Sequence, residues 1–358
     1  MRKYITAVTS MILALTLAAS GCNSGGTPAS TQAPADTAAA RTEAAPAANS
    51  DITYPLTIHA GYSTGADDPR GVGFQKFKET VEKETGGNII IEIHPSAELG
   101  NDADLIAGLI DGKVDMTVSS AGNYAAYATK MGVSALPFLF SDFDSAWSFV
   151  DSDIMQNVSG DLEQFNIHVL SYFDNGFRCV TTSEKTGPVK TVADMAGLNI
   201  RTPENQIVME TMSALKANPK SFPFSELKEA LKNGEFDAQE NPIPVIYNNG
   251  LYEVQKYLSI TNHSYDAMPF TIRNDIWTSL TPEYRDILTK AAKDASDENR
   301  QIIKKQTEDF ISALEEKGME ICYPDLEPFK EATSSVMDVF ASIYGQELID
   351  EVKKYTKS

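Results

Sequence analysis

The chain has 358 residues, 42% of them apolar, and its 50 acidic against 30 basic residues give a formal charge of −20 at neutral pH. A surface this acidic argues against nucleic acid or anionic lipid as ligand, yet leaves a small anion open, because screened surface charge matters little beside local arginines in a cleft. The length exceeds what one compact core usually supports, so two domains are expected.

The N-terminus reads as an export leader. Arg2 and Lys3 precede an apolar run from Ile5 to Ala19, too short to span a bilayer, and Ser20-Gly21-Cys22 follows as a small-residue cleavage site. The ending resembles a bacterial lipobox, with Ala19 where leucine is commonest, and implies that residues 1–21 are removed and Cys22 is lipidated. Cleavage deletes two basic residues and no acid, moving the charge from −20 to −22. Residues 22–50 are Gly, Ser, Thr, Ala and Pro with hardly a larger aliphatic side chain, a composition that cannot offset ordering and predicts a flexible tether. The expected location is therefore extracytoplasmic, anchored on the outer face of the cell membrane by lipid alone. Cys179 and Cys322 then remain, too few for a disulfide framework, and are expected to be free thiols.

From Asp51 the pattern alternates strand and helix. Leu56-Thr57-Ile58 predicts a strand, and Gly73 to Thr85 a helix carrying Phe74, Phe77 and Val81 and stopped by Gly86-Gly87. Ile89 to His94 alternates as a strand ended by Pro95. Asp102 to Asp111 predicts a helix with Gly112 as its stop, and Val114 to Ser119 a strand. A longer helical region follows over Asp144 to Phe165, then a strand from Ile167 to Tyr172. A second cycle begins near Gly176, with strands at Arg178 to Thr182 and Leu198 to Thr202 and a helix marked by Val208, Met212 and Leu215. Ser225 reads as the cap of a further helix ending at Gly234, and Phe236 to Gln239 as a short strand. Pro282 to Gly318 has almost no breaker and predicts one long, bent helix. Repeated βα units imply an α/β fold with largely parallel sheets, whose ligands sit at strand carboxyl ends or in a domain cleft.

The catalytic vocabulary is thin. There is no Gly-rich phosphate loop, no Gly-x-Ser-x-Gly elbow and no His-Glu-x-x-His. His59, His94, His168 and His263 show no metal-ligand spacing. No cofactor, metal or catalytic residue is therefore expected, and the chain reads as a binding protein, not an enzyme.

Four segments in the middle of the chain each bring a polar group to the edge of a predicted element. They are Asn175-Gly176-Phe177-Arg178, Asp194-Met195-Ala196-Gly197-Leu198-Asn199-Ile200-Arg201-Thr202-Pro203, Phe222-Pro223-Phe224-Ser225-Glu226 and Phe236-Asp237-Ala238-Gln239-Glu240-Asn241-Pro242. Together with Glu84-Thr85-Gly86-Gly87, Glu98-Leu99-Gly100-Asn101-Asp102 and Leu251-Tyr252-Glu253-Val254-Gln255-Lys256-Tyr257, they resemble the solute-binding proteins of tripartite ATP-independent periplasmic (TRAP) transporters, of the C4-dicarboxylate-binding (DctP) type. The likeness covers residues 52–345. It implies a two-lobed periplasmic-binding-protein fold, type II-like, with a long C-terminal helix bracing both lobes. The lobes are expected at 51–175 with 267–305, and at 176–266 with 306–358.

The resemblance also implies a site. Arg201 corresponds to the arginine that grips the ligand's carboxylate, and paired guanidinium donors in a water-poor cleft suit that task. Arg178 matches a second arginine that approaches the carboxylate or braces its partner, with a structural ion pair as the alternative. Asn241 matches the asparagine that fixes their geometry; Ala238 departs from the glycine commoner just upstream. Phe224 aligns with an aromatic against the ligand or, equally, with a core residue. Glu240 reads as a brace or a ligand contact, and His263 as a hinge residue or a satisfied buried histidine. The first lobe should contribute the Tyr62–Arg70 loop, Asp102, and Ser119 to Tyr124. Sialic-acid binders carry a glutamate in place of Ser120 and an arginine in place of Asn123, so sialic acid is disfavoured. Ser120 and Asn123 suit hydroxyls and Arg70 a second carboxylate, which keeps a uronate or other sugar acid and a C4-dicarboxylate open. The partners implied are the ligand and the small and large membrane subunits of the transporter, with the chain itself a monomer. A sensory receptor subunit and a lipoprotein enzyme acting on sugar acids are the alternatives from other classes.

Overall fold

A computed structural model describes residues 53–356; the leader, Cys22 and the tether lie outside the described residues. The first lobe begins with strand β1 (Leu56–Gly61), helix α1 (Pro69–Glu84), strand β2 (Ile89–His94), helix α2 (Asp102–Asp111) and strand β3 (Met116–Val118). Local chemistry sets these boundaries. Asp68 caps α1 by accepting the Arg70 N–H, with Pro69 at the first helical position, and Gly86 and Gly87 take positive φ where the chain turns back. The Asp104 carboxylate accepts the Asn101 N–H at the start of α2, and Gly112 ends that helix at φ 80°.

The expected helical region over 144–165 divides into α3 (Phe143–Val150), α4 (Asp153–Gly160) and a 3-10 turn. Asp142 and Ser152 each cap a new start, accepting from Ser145 and Met155, and that competition for backbone donors breaks the helix. Strand β4 (Ile167–Thr182) runs unbroken through what the sequence presents as two strands. The second lobe adds β5 (Asn199–Thr202), α5 (Gln206–Ala214), β6 (Asn218–Ser221), α6 (Phe224–Lys232), β7 (Ala238–Pro242) and α7 (Ile243–Asn248). Helix α6 starts one residue before Ser225, which is therefore not its cap. Strand β8 (Tyr257–Arg273) then returns through both lobes, followed by α8 (Asn274–Ser279), α9 (Pro282–Glu316), β9 (Glu320–Cys322), α10 (Glu327–Tyr344) and α11 (Gln346–Lys353).

The nine strands of the described residues form one sheet, ordered β2-β1-β3-β8-β4-β7-β5-β6, with β9 beside β8. The expectation of largely parallel sheets needs correcting. The triplets β2-β1-β3 and β7-β5-β6 are each parallel, but β3, β8, β4 and β7 join antiparallel to their neighbours. The two long strands β4 and β8 are thus the shared spine of a two-lobed molecule. Their register shifts at Asp174/Gly176 and at Arg178/Val180, and Gly176 sits at φ 100°. A bulge bends a strand and strengthens its local twist, so the spine changes direction along this stretch.

The long helix α9 serves both lobes. Leu288, Ala291, Ala292 and Ala295 pack with Phe74, Phe77 and Phe270 of the first, and Leu314 with Leu227, Ile243 and Ile246 of the second. Helix α10 begins with Phe329 in the cluster holding Met195 and Ile200, and ends with Phe340 and Tyr344 in the cluster holding Phe149. Cys179 is buried and Cys322 half-buried, and both are free thiols. Among the described residues no helix is long and apolar enough to cross a membrane.

Candidate functional site

Between the lobes lies a cavity of about 140 Å³. Its walls are Asn101, Asp102, Ala103 and Asn123 from the first lobe, and Arg201, Pro203, Glu204 and the Ser221–Phe224 segment from the second. Arg201 is at the carboxyl end of β5 and is buried, the residue being 3% exposed. Its Nε and Nη2 both donate to the Phe222 carbonyl, at 2.8 and 2.6 Å, and no carboxylate lies within salt-bridge distance among the described residues. Burial pushes its pKa down to about 10, with Glu240 and Asp102 opposing that shift and Arg178 adding to it. The cation remains protonated at neutral pH, buried, and without a counter-ion. Phe224 sets its ring 5.9 Å below the guanidinium, while Phe222 turns the other way onto Phe236.

Across the cavity Asp102 accepts from the Ser63 and Ser119 hydroxyls. Asn123 donates to Ser119 Oγ at 2.9 Å, and its Oδ1 is buried without a donor. The cavity therefore offers an unmatched cation on one wall and an unmatched acceptor on the other.

Arg178 has the opposite character. Its Nε and Nη2 clasp the Glu240 carboxylate at 2.5 and 2.8 Å, and Nη1 donates to Asp266 at 2.5 Å. Nη2 also reaches the Glu240 carbonyl and Asn241 Oδ1. Burial works against its charge, yet the two carboxylates outweigh it and hold its pKa above the ordinary value. Glu240, fully buried, is pulled below the usual carboxylate range because Arg178 and His263 outweigh its desolvation. His263 lies between Glu240 and Thr261, at 3.3 and 2.8 Å, and is a satisfied buried histidine. Asn241 donates to Gln239 at 2.5 Å. Ser120 and Asn175 each donate to Asp266, and Arg70 donates to Asn175.

The structure thus sorts the sequence-predicted residues into two groups. Arg201, Phe224, Asp102 and Asn123 line the cavity. Arg178, Asn241, Glu240, His263, Ser120 and Arg70 belong instead to a continuous buried network centred on Asp266. Arg70 is spent there, held by Asn175 and 3.6 Å from Asp68, and is not on the cavity wall. Sequence reasoning missed Asp266 and Asn175; the one available signal for Asp266 is an acid set inside the apolar run Tyr265-Ala267-Met268. It also missed two interlobe contacts, the 2.7 Å bond from Ser225 Oγ to Asn101 Oδ1 and the seating of Gly122 against Asn205. The fold also brings His59 of β1 beside Glu92 and His94 of β2 on one face of the sheet, a grouping that the sequence spacing of the histidines did not suggest. A larger groove of about 460 Å³ beside α4, β4 and α9 is a poorer candidate, because its buried cation, Arg300, is already paired bidentately with Asp151.

Residues 60–343 match the family model described as DctP, bacterial extracellular solute-binding protein, family 7. The chain belongs to that family. Members of family 7 are binding proteins. One relative, the 2,3-diketo-L-gulonate-binding periplasmic protein YiaO of Escherichia coli, is 31% identical over 304 residues, spanning 83% of this chain and 92% of its own. Among solved structures, a TRAP periplasmic solute-binding protein from Polaromonas bound to D-erythronate matches with a TM-score of 0.80 at 30% identity, covering 83% of this chain and 98% of the other. The sugar acid-binding protein DctPAm of Advenella mimigardefordensis, in complex with galactonate, matches with a TM-score of 0.81 at 28% identity, covering 85% and 98%. These likenesses extend over both lobes, the spine and α9.

Proposed function

We propose that this family 7 protein is the extracytoplasmic receptor of a TRAP transporter, and that its ligand is a small hydroxylated monocarboxylate of the sugar-acid class. The buried, uncompensated guanidinium of Arg201 carries this reading. A carboxylate docked on it replaces lost hydration with charge-assisted bonds, and nothing else in the cavity supplies that charge. Asn123 Oδ1 calls for a hydroxyl donor, which a sugar acid has. A second carboxylate opposite Arg201 would meet Asp102, so a C4-dicarboxylate is disfavoured; like charges held together in a closed site repel. The volume, below the usual ligand-pocket range of roughly 300–1,000 Å³, favours a short acid. Mature Cys22 would hold a monomeric receptor at the membrane surface by lipid, and the bulges at Asp174/Gly176 support a hinge near the expected lobe boundary at 175/176.

Thermal melts of the chain from Asp51 onward, with D-galactonate, D-erythronate, D-glucuronate, succinate and malate, test the proposal. Ligand binding to the folded state raises the melting temperature. The hydroxylated monocarboxylates should raise it and succinate should not. A larger shift with succinate overturns the ligand class, and no shift with any acid overturns the receptor reading. For the anchor, Cys22→Ser should move the protein from the membrane fraction to the supernatant, and retention at the membrane would refute it.

A further inference from the structure

We propose that His59, Glu92 and His94 form a binding site for a divalent transition ion of the zinc type, on the sheet edge and separate from the ligand cavity. Strands β1 and β2 pair in parallel with His59 beside Glu92 and Gly61 beside His94. Residues two apart in a strand share a face, so Glu92 and His94 stand on the same side of the sheet as His59. Their ligand atoms all lie within 4.8 Å of one another. His59 Nδ1 is 3.3 Å from His94 Nε2 and 3.3 Å from a Glu92 oxygen. A tetrahedral ion with bonds of roughly 2.05 Å has edges of about 3.3 Å, so these two separations are those of ligands sharing one zinc.

A second observation points the same way. His94 turns its other ring nitrogen, Nδ1, to the Glu98 carboxylate at 3.4 Å. A metal-bound histidine characteristically gives its remaining N–H to a carboxylate, which fixes the tautomer and leaves Nε2 free to coordinate. The backbone adds rigidity, because the His59 N–H is held by Asp115 at 2.9 Å. Two imidazoles and one carboxylate are a donor set suited to zinc, and the fourth position is open to water, since the His59 and Glu92 side chains are 47% and 53% exposed. The pattern was hidden in the sequence because 35 residues separate the two histidines. An ion here ties edge strand β2 to β1 and, through Glu98, steadies the turn that leads to Asn101 and Asp102 at the cavity wall.

The test is zinc chloride titration of the untagged, chelator-treated chain by calorimetry, paired with thermal melts, for the parent, the double variant His59→Gln/His94→Gln, and Glu98→Gln. Zinc should bind the parent at a single high-affinity equivalent and raise its melting temperature. The double variant should lose that equivalent while melting, without zinc, close to the parent, since His59 is exposed and His94 partly so and glutamine keeps a polar side chain at both positions. Glu98→Gln should retain the stoichiometry with affinity weakened roughly 10-fold. Equal zinc binding by parent and double variant, or none tighter than millimolar in the parent, overturns the proposal. The readout needs no sugar acid, so it stands or falls independently of the transport reading.

Discussion

Replacing Arg201 by Met should abolish tight ligand binding and at the same time make the empty protein more stable. In the folded chain the guanidinium's pKa is about 10 against 12.5 for the free group. A base whose folded-state pKa is depressed destabilises the fold at every pH below that value, so the cost is fully present at neutrality. Two and a half units correspond to about 3 kcal/mol. Removing the cation also strips the Phe222 carbonyl of its two donors, a loss of about 1–2 kcal/mol. The net gain is about 1–2 kcal/mol, or a few degrees in melting temperature. Methionine fills most of the vacated space and adds no polar group. Binding moves the other way, because deleting one partner of a desolvated charge pair costs about 2–5 kcal/mol, roughly 30- to 5,000-fold in Kd. Calorimetry with D-galactonate and ligand-free melts read the two effects separately. A variant that melts several degrees lower than the parent and still shows the ligand-induced shift would refute the reasoning at both points.

Arg178→Ala should behave unlike Arg201→Met. It strands the Glu240 and Asp266 carboxylates in the interior, so the melt should fall by an amount equivalent to about 3–5 kcal/mol; an unchanged melt would deny the bracing role. Gly122→Ala should weaken ligand affinity about 10-fold or more, because the added Cβ would lie 1.9 Å from Asn205 Nδ2, whose side chain is committed to capping α5. Parent-like affinity with a parent-like melt would show that the lobes do not close on this contact. Burial raises the Asp174 pKa from 3.8 to about 6, with Trp147, Gly176 and Arg300 opposing the shift. The folded state therefore holds that proton more tightly than the unfolded chain. The stabilisation is complete below roughly pH 4 and lost as pH rises through about 6, about 3 kcal/mol in all. Melts of Asp174→Asn and the parent across that window should diverge in the variant's favour as pH rises, and a difference independent of pH would count against the assignment.

How much of this was legible in the sequence depended on whether the deciding forces were local. Helix α2 was readable to the residue, because apolar spacing and Gly112 act within a turn or two. Helix α9 announced itself by the lack of breakers over 35 residues. Strand β8 was not among the predicted elements, because Asn262, His263, Asp266 and Pro269 interrupt its apolar pattern, and their suitability for a strand comes from β4 alongside and from the buried network that satisfies them. The 144–165 region failed for a related reason. Its apolar period is helical throughout, but the Ser152 side chain competes for backbone donors and divides it. Around the cavity, the sequence drew attention to the segment holding Arg201, which lines the wall, while Asp266, Asn175 and the His59–Glu92–His94 cluster depend on strand pairing that no local pattern encodes.

The two arginines show why residue type alone could not assign the roles. Arg178 and Arg201 are each 3% exposed and sit on neighbouring parts of one sheet. Arg178 is answered by two carboxylates, so a third arriving with a ligand would add repulsion and find its donors taken. Arg201 is answered only by a carbonyl oxygen, and the fold carries that cost in the empty state. The bulges of β4 fall on either side of Arg178, so the braced network lies at the bend of the spine, where it can hold the two strands together while the lobes turn about it. Slighter contacts between the lobes occur where Ser225 meets Asn101 and Gly122 meets Asn205. Under the proposed receptor function, a ligand carboxylate satisfying Arg201 would then be the largest single term favouring closure of the lobes.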